Sequence, residues 1–199
     1  EEVLAQFWAW FDSIGGTFYI QELEVLREDL GRLRGAPVTD AELNASIRVY
    51  NENRAAVRDL YAYRAAKPWQ APTSEVYLLL RAGMVLPVEE HTELVRDYIA
   101  AADAVPRPKR DNARVVLTGA FCEQPPLALI KSIEMSGCYI VDDDFMLVTR
   151  WLLDDVPADG NPLEELSKAF LHRSASTAAK YEATREEKGV FLLQQVKTR

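Results

Sequence analysis

Two short apolar runs decide the fold class of this chain: VVLTG at residues 115–119 and YIVDDD at residues 139–144. Each run is brief, rich in β-branched or aromatic residues and closed by glycine or polar residues, which is typical of a buried strand. Between them, a segment of helical periodicity begins at Pro125 or Pro126 and ends at Gly137. This order predicts a strand–helix–strand unit and therefore an α/β fold with a doubly wound parallel sheet.

The residues before this unit predict helices. Apolar residues from Leu4 to Phe11 recur at helical spacing, and Gly15-Gly16 is expected to break that helix. Thr17 is then expected to cap a second helix, which Gly35 ends. Thr39 and Glu42 form a capping box, the pattern in which two side chains satisfy the free N–H groups at the start of a helix.

That capping box predicts a long helix that ends at Lys67-Pro68. A short helix over 75–81 and a longer one from Pro87 to about residue 104 follow. No strand is predicted before Val105. The proline-interrupted stretch 106–112 is the expected boundary between a helical region, 1–105, and an α/β region, 106–199. Because a two-stranded sheet is too small to stand alone, its remaining strands are expected beyond Arg199.

Composition excludes several classes of function. The 199 residues carry 31 acidic and 23 basic side chains, a net charge of −8, which repels nucleic acid. No apolar run approaches the roughly 18 residues of a membrane span. The two cysteines cannot form a disulfide scaffold, so we expect thiols in a reducing, cytoplasmic compartment. There is no glycine-rich phosphate loop, zinc pattern or nucleophile elbow.

The strongest candidate site lies at the carboxyl ends of the two predicted strands. Cys122, Glu123 and Gln124 fall between the first strand and the helix, where α/β sheets bind ligands. The free N–H groups of a helix start favour an anion there. Cys122 is therefore either a nucleophile or iron ligand, or a small buried residue in a tight turn.

Two further groups of polar residues have both a structural and a functional interpretation. The triplet Asp142-Asp143-Asp144 follows the second strand. It is expected to cap the next helix, and cation binding and substrate placement are the alternatives. Asn51 and Asn53 are unfavourable inside a long helix. They either hold a neighbouring loop by hydrogen bonds or face a ligand, and the structural role is favoured. The basic cluster 107–110 is expected to be a solvated linker, which is favoured over an anion or partner site.

Four segments in this order resemble the benzoyl-CoA reductase and 2-hydroxyacyl-CoA dehydratase family: YNENR at 50–54, RVVLTG at 114–119, CEQPP at 122–126 and IEMSGCYIVDDD at 133–144. The last two segments are most similar to the substrate-reducing subunits of ATP-dependent benzoyl-CoA reductases. The resemblance covers nearly the whole chain.

The resemblance implies a helical connector followed by part of a Rossmann-like domain, both incomplete. It implies an iron–sulfur oxidoreductase that pairs with a homologous second subunit. It further implies that a separate ATP-hydrolysing activator supplies the low-potential electrons that reduce an aryl-CoA or acyl-CoA substrate. It also implies a [4Fe–4S] cluster in the full-length protein. With only Cys122 and Cys138, this chain is expected to hold no cluster by itself, and Cys122 is at most one ligand among several.

The sequence leaves two other functions open. A 2-hydroxyacyl-CoA dehydratase subunit, which removes water by radical chemistry, is the nearest enzymatic alternative. A non-catalytic interaction module is the alternative from another class. Cys122, Glu123, Gln124, Asp142 and Asp143 are the predicted residues at the substrate edge.

Overall fold

The computed structural model describes residues 2–117, 126–143 and 154–172, together with residues 190, 193, 194 and 197; the side chains of residues 2–15, 171 and 172 are outside this description. The helices and strands are α1 (Glu2–Arg34), α2 (Asp40–Ala66), α3 (Thr73–Ala82), α4 (Val88–Ala104), β1 (Ala113–Leu117), α5 (Leu127–Met135), β2 (Cys138–Asp143) and α6 (Pro162–His172). The prediction of an α/β fold is confirmed, and helices dominate the described residues.

The predicted break at Gly15-Gly16 is wrong, because α1 runs without interruption through both glycines and through Thr17. A glycine inside a helix costs about 1 kcal/mol relative to alanine, which a helix of 33 residues can absorb through its other contacts. The carbonyl of Gly16 accepts a hydrogen bond from the Ser167 hydroxyl at 3.4 Å. The glycine pair therefore lies within α1 at a point where α6 contacts it.

The predicted end of this helix and start of the next are confirmed. Gly35 has a positive φ of 77°, a conformation that a residue with a Cβ rarely adopts. The backbone N–H of Thr39 donates to Glu42 Oε2 at 2.8 Å, and the N–H of Glu42 donates to Thr39 Oγ1 at 3.3 Å. This reciprocal pair is the predicted capping box, and α2 begins at Asp40.

Packing divides the described residues into two units. The first contains α1, the part of α2 that ends at Asn51, and α6. The rings of Tyr19 and Phe170 stack there, with centroids 4.7 Å apart. Its buried core consists of Ile47, Val156, Ala158 and Ala169.

The second unit contains α2 from Glu52 onward, α3, α4, β1, α5 and β2. Its core is formed by apolar faces of α2, α3 and α4, with residues Ala56, Val57, Leu60, Tyr61, Ala71, Val76, Leu79, Leu80 and Val95. β1 and β2 pair in parallel, as predicted from the two apolar runs. That this pair belongs to a larger Rossmann-like sheet, and that a domain boundary lies at 105/106, stay predictions.

Candidate functional site

The carboxyl ends of β1 and β2 meet at one edge of the sheet. Leu117, the last residue of β1, is paired with Asp143, the last residue of β2. The register shifts once before this point: Val115 pairs with Ile140, whereas Val116 pairs with Asp142, so Val141 is an extra residue in β2. Such bulges bend a strand and change the direction of the side chains that follow.

The two last side chains of β2 lie in a buried ionic cluster that we call the Arg64 cluster, formed by Tyr61, Arg64, Asp142 and Asp143. Arg64 Nη2 lies 2.8 Å from Asp143 Oδ2 and 3.9 Å from Asp142 Oδ1. The side chains of Arg64 and Asp143 are fully buried, and that of Asp142 is 7% exposed. Arg64 Nη2 therefore forms a close ion pair with Asp143 and a longer one with Asp142.

Tyr61 and the backbone complete this cluster. The Tyr61 hydroxyl donates to Asp143 Oδ1 at 3.4 Å, and the Arg64 guanidinium lies over the Tyr61 ring, 4.3 Å from its centroid. The backbone N–H of Asp143 donates to Asp142 Oδ1 at 2.8 Å. Burial favours the neutral form of Arg64, but the charges of Asp143, Tyr61 and Asp142 outweigh it and raise the pKa of Arg64 above its usual value. The guanidinium is therefore charged although it is shielded from water.

The structure corrects the interpretation of the aspartate triplet. Asp142 and Asp143 lie inside β2 instead of following it, and both carboxylates lie within 4 Å of Arg64 Nη2. Capping of a following helix stays a prediction. Asp144 lies outside the described residues. The cause is the bulge, which lets β2 continue to Asp143 while both carboxylates stay buried.

Three of the five predicted site residues cannot be placed. Cys122, Glu123 and Gln124 lie outside the described residues. Asp142 and Asp143 are brought together at the predicted edge. Cys138 begins β2 and is half-buried.

The two helix-interior asparagines have the structural role that the sequence favoured. Asn51 donates through Nδ2 to the carbonyl of Val156 at 2.8 Å and accepts the N–H of Val156 at 2.9 Å. Asn53 Nδ2 donates to His91 Nδ1 at 2.8 Å and to Thr92 Oγ1 at 2.9 Å. Asn51 thus holds the segment before α6, and Asn53 holds the start of α4.

The cluster 107–110 is more ordered than the predicted solvated linker. Arg107 forms two hydrogen bonds with the Glu75 carboxylate, at 2.9 and 3.0 Å, and is only half exposed. The backbone N–H of Arg107 also donates to Gln70 Oε1 at 2.5 Å. Because a carboxylate on α3 and a side-chain amide both hold Arg107, this stretch is attached to the second unit.

Arg64 is the site residue that sequence reasoning missed. It follows Val57, Leu60 and Tyr61 at the spacing of the buried face of α2. An arginine on an apolar helix face requires a buried carboxylate, because an unpaired buried charge is very costly. Two adjacent acids in an otherwise apolar strand, Asp142 and Asp143, match that requirement, and this pairing was the available signal.

The described residues do not fit a complete iron–sulfur site. Cys138 is the single free thiol among them, whereas a [4Fe–4S] cluster ordinarily takes four thiolates. No group of three histidine, cysteine, aspartate or glutamate side chains within the described ranges is arranged to hold a metal ion. Any cluster would need ligands from residues beyond these ranges. Searched over the same part of the chain, no helix is both long enough and apolar enough to span a bilayer.

A parallel strand–helix–strand unit with charged residues buried at its carboxyl edge defines an α/β protein. A family model described as "2-hydroxyglutaryl-CoA dehydratase, D-component" matches residues 14–198. The chain belongs to this family, which confirms the resemblance found in the sequence.

Two relatives show where the chain lies within the family. It is 58% identical over 187 residues to one of the subunits of the benzoyl-CoA reductase of Thauera aromatica, and the match covers 94% of this chain and 48% of that protein. It is 32% identical over 154 residues to the beta subunit of lactoyl-CoA dehydratase of Anaerotignum propionicum, covering 77% of this chain and 41% of that protein.

A third relative, the beta subunit of (R)-2-hydroxyglutaryl-CoA dehydratase of Acidaminococcus fermentans, is 26% identical over 160 residues, which cover 80% of this chain and 42% of that protein. The chain therefore spans about half the length of the curated relatives that it matches.

Proposed function

We propose that this chain is part of a longer subunit, the parent protein, of an anaerobic benzoyl-CoA reductase. The enzyme adds a pair of electrons and a pair of protons to the aromatic ring of benzoyl-CoA and yields a cyclohexadiene-carbonyl-CoA. The observation that carries the proposal is the 58% identity to a benzoyl-CoA reductase subunit over 94% of the chain. Identity to the lactoyl-CoA dehydratase subunit is far lower, 32%.

The described geometry is compatible with acyl-CoA chemistry at the carboxyl edge of the sheet. α5 begins at Leu127, and its N-cap residue is Pro126. The proline side chain makes no capping hydrogen bond to the first N–H groups of the helix. Negative charge develops on a thioester oxygen when an electron enters the conjugated ring. N–H groups at a helix start stabilise such charge, most strongly where water is excluded.

We assign the substrate edge to Cys122, Glu123, Gln124, Asp142 and Asp143. In the proposed complex, a homologous second subunit pairs with the parent protein, and a separate activator hydrolyses ATP and delivers the electrons. A [4Fe–4S] cluster would supply electron transfer in the full-length protein, and Cys122 is the candidate ligand from this chain. The location of the complex in the cytoplasm stays a prediction from the thiol content.

The test is an anoxic assay of the full-length parent protein with its partner subunit, the activator, ATP and a low-potential reductant. Benzoyl-CoA and a 2-hydroxyacyl-CoA are supplied separately, and the products are identified by mass. We expect consumption of benzoyl-CoA only. Turnover of the 2-hydroxyacyl-CoA alone would replace this proposal by the dehydratase function, and turnover of neither would favour an interaction module.

The role of Cys122 is tested by iron and acid-labile sulfide analysis of the same complex. We expect about four irons per cluster in the wild type and a loss of iron in Cys122→Ala. Cys138→Ala is the matched control, because Cys138 begins β2 and therefore lies at the opposite end of the strand from Asp143. Equal iron in Cys122→Ala and the wild type would exclude Cys122 as a ligand.

A further inference from the structure

Arg64 is the buried charged residue that the proposed function does not yet use. Building on that function, we propose that Arg64 is a positioning residue: through Asp143 and Asp142 it fixes the carboxyl edge of the sheet where the acyl-CoA substrate binds. The residue comes from α2, in the helical half of the chain, and reaches the end of β2. Arg64 therefore connects a helix, α2, to the end of a strand, β2, at the candidate site.

The first argument is the direction of the two carboxylates. Consecutive side chains in a regular strand point to opposite faces of the sheet. Asp142 and Asp143 are consecutive, yet both are buried and both lie within 4 Å of the same guanidinium nitrogen, at 3.9 and 2.8 Å. The extra residue Val141 provides the local bend in β2. The bulge at Val141 and the contact with Arg64 together place two consecutive carboxylates beside one guanidinium, which does not occur in a regular strand.

The second argument is that a buried ion pair of this kind contributes little to the free energy of folding. A buried ion pair can often be replaced by uncharged groups of similar volume without loss of stability, because desolvation offsets the attraction between the charges. Arg64 is also incompletely satisfied: its Nε and Nη1 have no hydrogen-bond acceptor within the part of the chain that the structure describes. Buried donors without an acceptor are rare and call for an explanation other than stability.

The third argument is the location of the cluster. Arg64 contacts the last residues of β2, and Asp143 is in register with the last residue of β1. Ligands of α/β sheets bind beside this edge. A carboxylate that is fixed there on both oxygens, by Tyr61 at 3.4 Å and by Arg64 at 2.8 Å, keeps one position during the reaction. Such fixed groups reduce the reorganisation that the transition state would otherwise require.

The experiment separates positioning from stability. In the full-length parent protein with its partner and activator, the double variant Arg64→Met/Asp143→Asn removes both charges of the close pair and keeps an acceptor for the Tyr61 hydroxyl. We expect its melting temperature to stay close to that of the wild type. We expect kcat to fall about 100-fold, as for a misplaced reacting group, with KM changed by less than about threefold.

Two further variants complete the design. Arg64→Lys keeps the charge but lacks the planar fork, so we expect kcat to recover about tenfold relative to the double variant. Asn53→Ala is the matched control, because it removes a buried hydrogen-bonded side chain from the same helix, away from the sheet edge. We expect Asn53→Ala to lower the melting temperature and to leave kcat at the wild-type value.

The outcomes distinguish this proposal from the proposed function. If the double variant is as stable as the wild type and retains its kcat, the reaction does not depend on the Arg64–Asp143 pair and the positioning role is wrong. If the wild type turns over a 2-hydroxyacyl-CoA instead of benzoyl-CoA, the reductase assignment fails, and the same variants decide on positioning with that substrate. If the wild-type complex neither binds nor turns over either acyl-CoA, both proposals are overturned.

Discussion

Asn53 and Arg64 both make buried polar contacts from helix α2 within the second unit, and these contacts differ in kind. Asn53 belongs to a neutral network in which both ring nitrogens of His91 are used: Nδ1 accepts from Asn53, and Nε2 donates to the carbonyl of Leu79 at 3.1 Å. Arg64, about 16 Å further along the helix, belongs to a charged cluster and retains two nitrogens without an acceptor among the described residues.

The difference indicates what each contact does. The neutral network joins α2 to the ends of α3 and α4 and leaves the His91 ring nitrogens satisfied, as expected of a contact that stabilises a core. The charged cluster joins α2 to the end of a strand, and within the described ranges Arg64 Nε and Nη1 lack an acceptor. Under the positioning role proposed for Arg64, the neutral contact of α2 serves folding and the charged contact serves the candidate site.

The largest expected effect comes from breaking the charged contact on one side only. Arg64→Met leaves Asp143 buried without its guanidinium, and we expect a loss of about 3–5 kcal/mol in the free energy of unfolding. Chemical unfolding of the parent protein measures it. The control is Arg48→Met, also on α2, whose side chain is 57% exposed and whose guanidinium is 3.7 Å from Asp159; a loss below about 1 kcal/mol is expected there. Equal losses in the two variants would show that burial does not distinguish these arginines.

The comparison also shows how far the sequence alone reaches. The strand–helix–strand unit, the capping box at Thr39 and the roles of Asn51 and Asn53 follow from local rules of period, capping and propensity, and all are confirmed. The Arg64 cluster depends on two residues almost 80 positions apart in sequence and on a bulge at Val141. The sequence shows an arginine on the buried face of α2 and two acids in an apolar strand, but no local pattern shows that they pair. Helix capping was therefore the favoured interpretation of the triplet.

The continuity of α1 through Gly15-Gly16 was missed for a related reason. Helix propensity is a weak local preference, and tertiary contacts such as that between Gly16 and Ser167 override it. At the candidate site, sequence reasoning placed Asp142 and Asp143 at the carboxyl end of β2 but missed their fixed geometry, because a side chain from a distant helix provides that geometry.

The next prediction perturbs the neutral network without removing any of its members. A Cβ at Gly83 would lie 2.7–2.9 Å from three atoms of the buried His91 ring, which cannot move without losing its hydrogen bonds. We expect Gly83→Ala to cost about 1–3 kcal/mol, measured by chemical unfolding. Gly160→Ala is the control, because its Cβ would meet Glu165 Cγ at an ordinary 3.8 Å. Comparable stability of both variants would mean that the His91 ring is loosely held.

A third polar contact is intermediate in type between the neutral network and the charged cluster, because a charged side chain binds a neutral backbone group. Glu134 on α5 accepts the backbone N–H of Thr73 at 2.6 Å and so caps the start of α3. We expect Glu134→Ala to cost about 1 kcal/mol, as for other lost helix caps. Glu134→Gln keeps an acceptor and should recover most of that loss. If the two variants are equally destabilised, the charge of Glu134 matters more than its hydrogen bond.

The smallest effect should distinguish the two contacts by pH. Burial lowers the pKa of His91 below 6.5, and the hydrogen bond with the carbonyl of Leu79 offsets this only in part. Below the unfolded pKa of about 6.5, the folded state therefore binds fewer protons than the unfolded state. The contribution of His91 to the free energy of unfolding is fully present above that pH. It is lost as the pH falls toward the folded pKa. The loss is at most about 1.4 kcal/mol per pH unit.

The measurement is the free energy of unfolding of the wild type and of His91→Gln at about pH 7.5 and about pH 5.5, the range in which histidine titrates. Glutamine offers both a donor for Leu79 and an acceptor for Asn53 but does not titrate, so the variant should lose less stability than the wild type on acidification. The exposed Glu42 does not interfere, because hydrogen bonds from Arg34 and Thr39 lower its pKa to about 2. Identical pH dependence in the two proteins would show that His91 is not held neutral, and the neutral network would then resemble the charged cluster more closely than its geometry indicates.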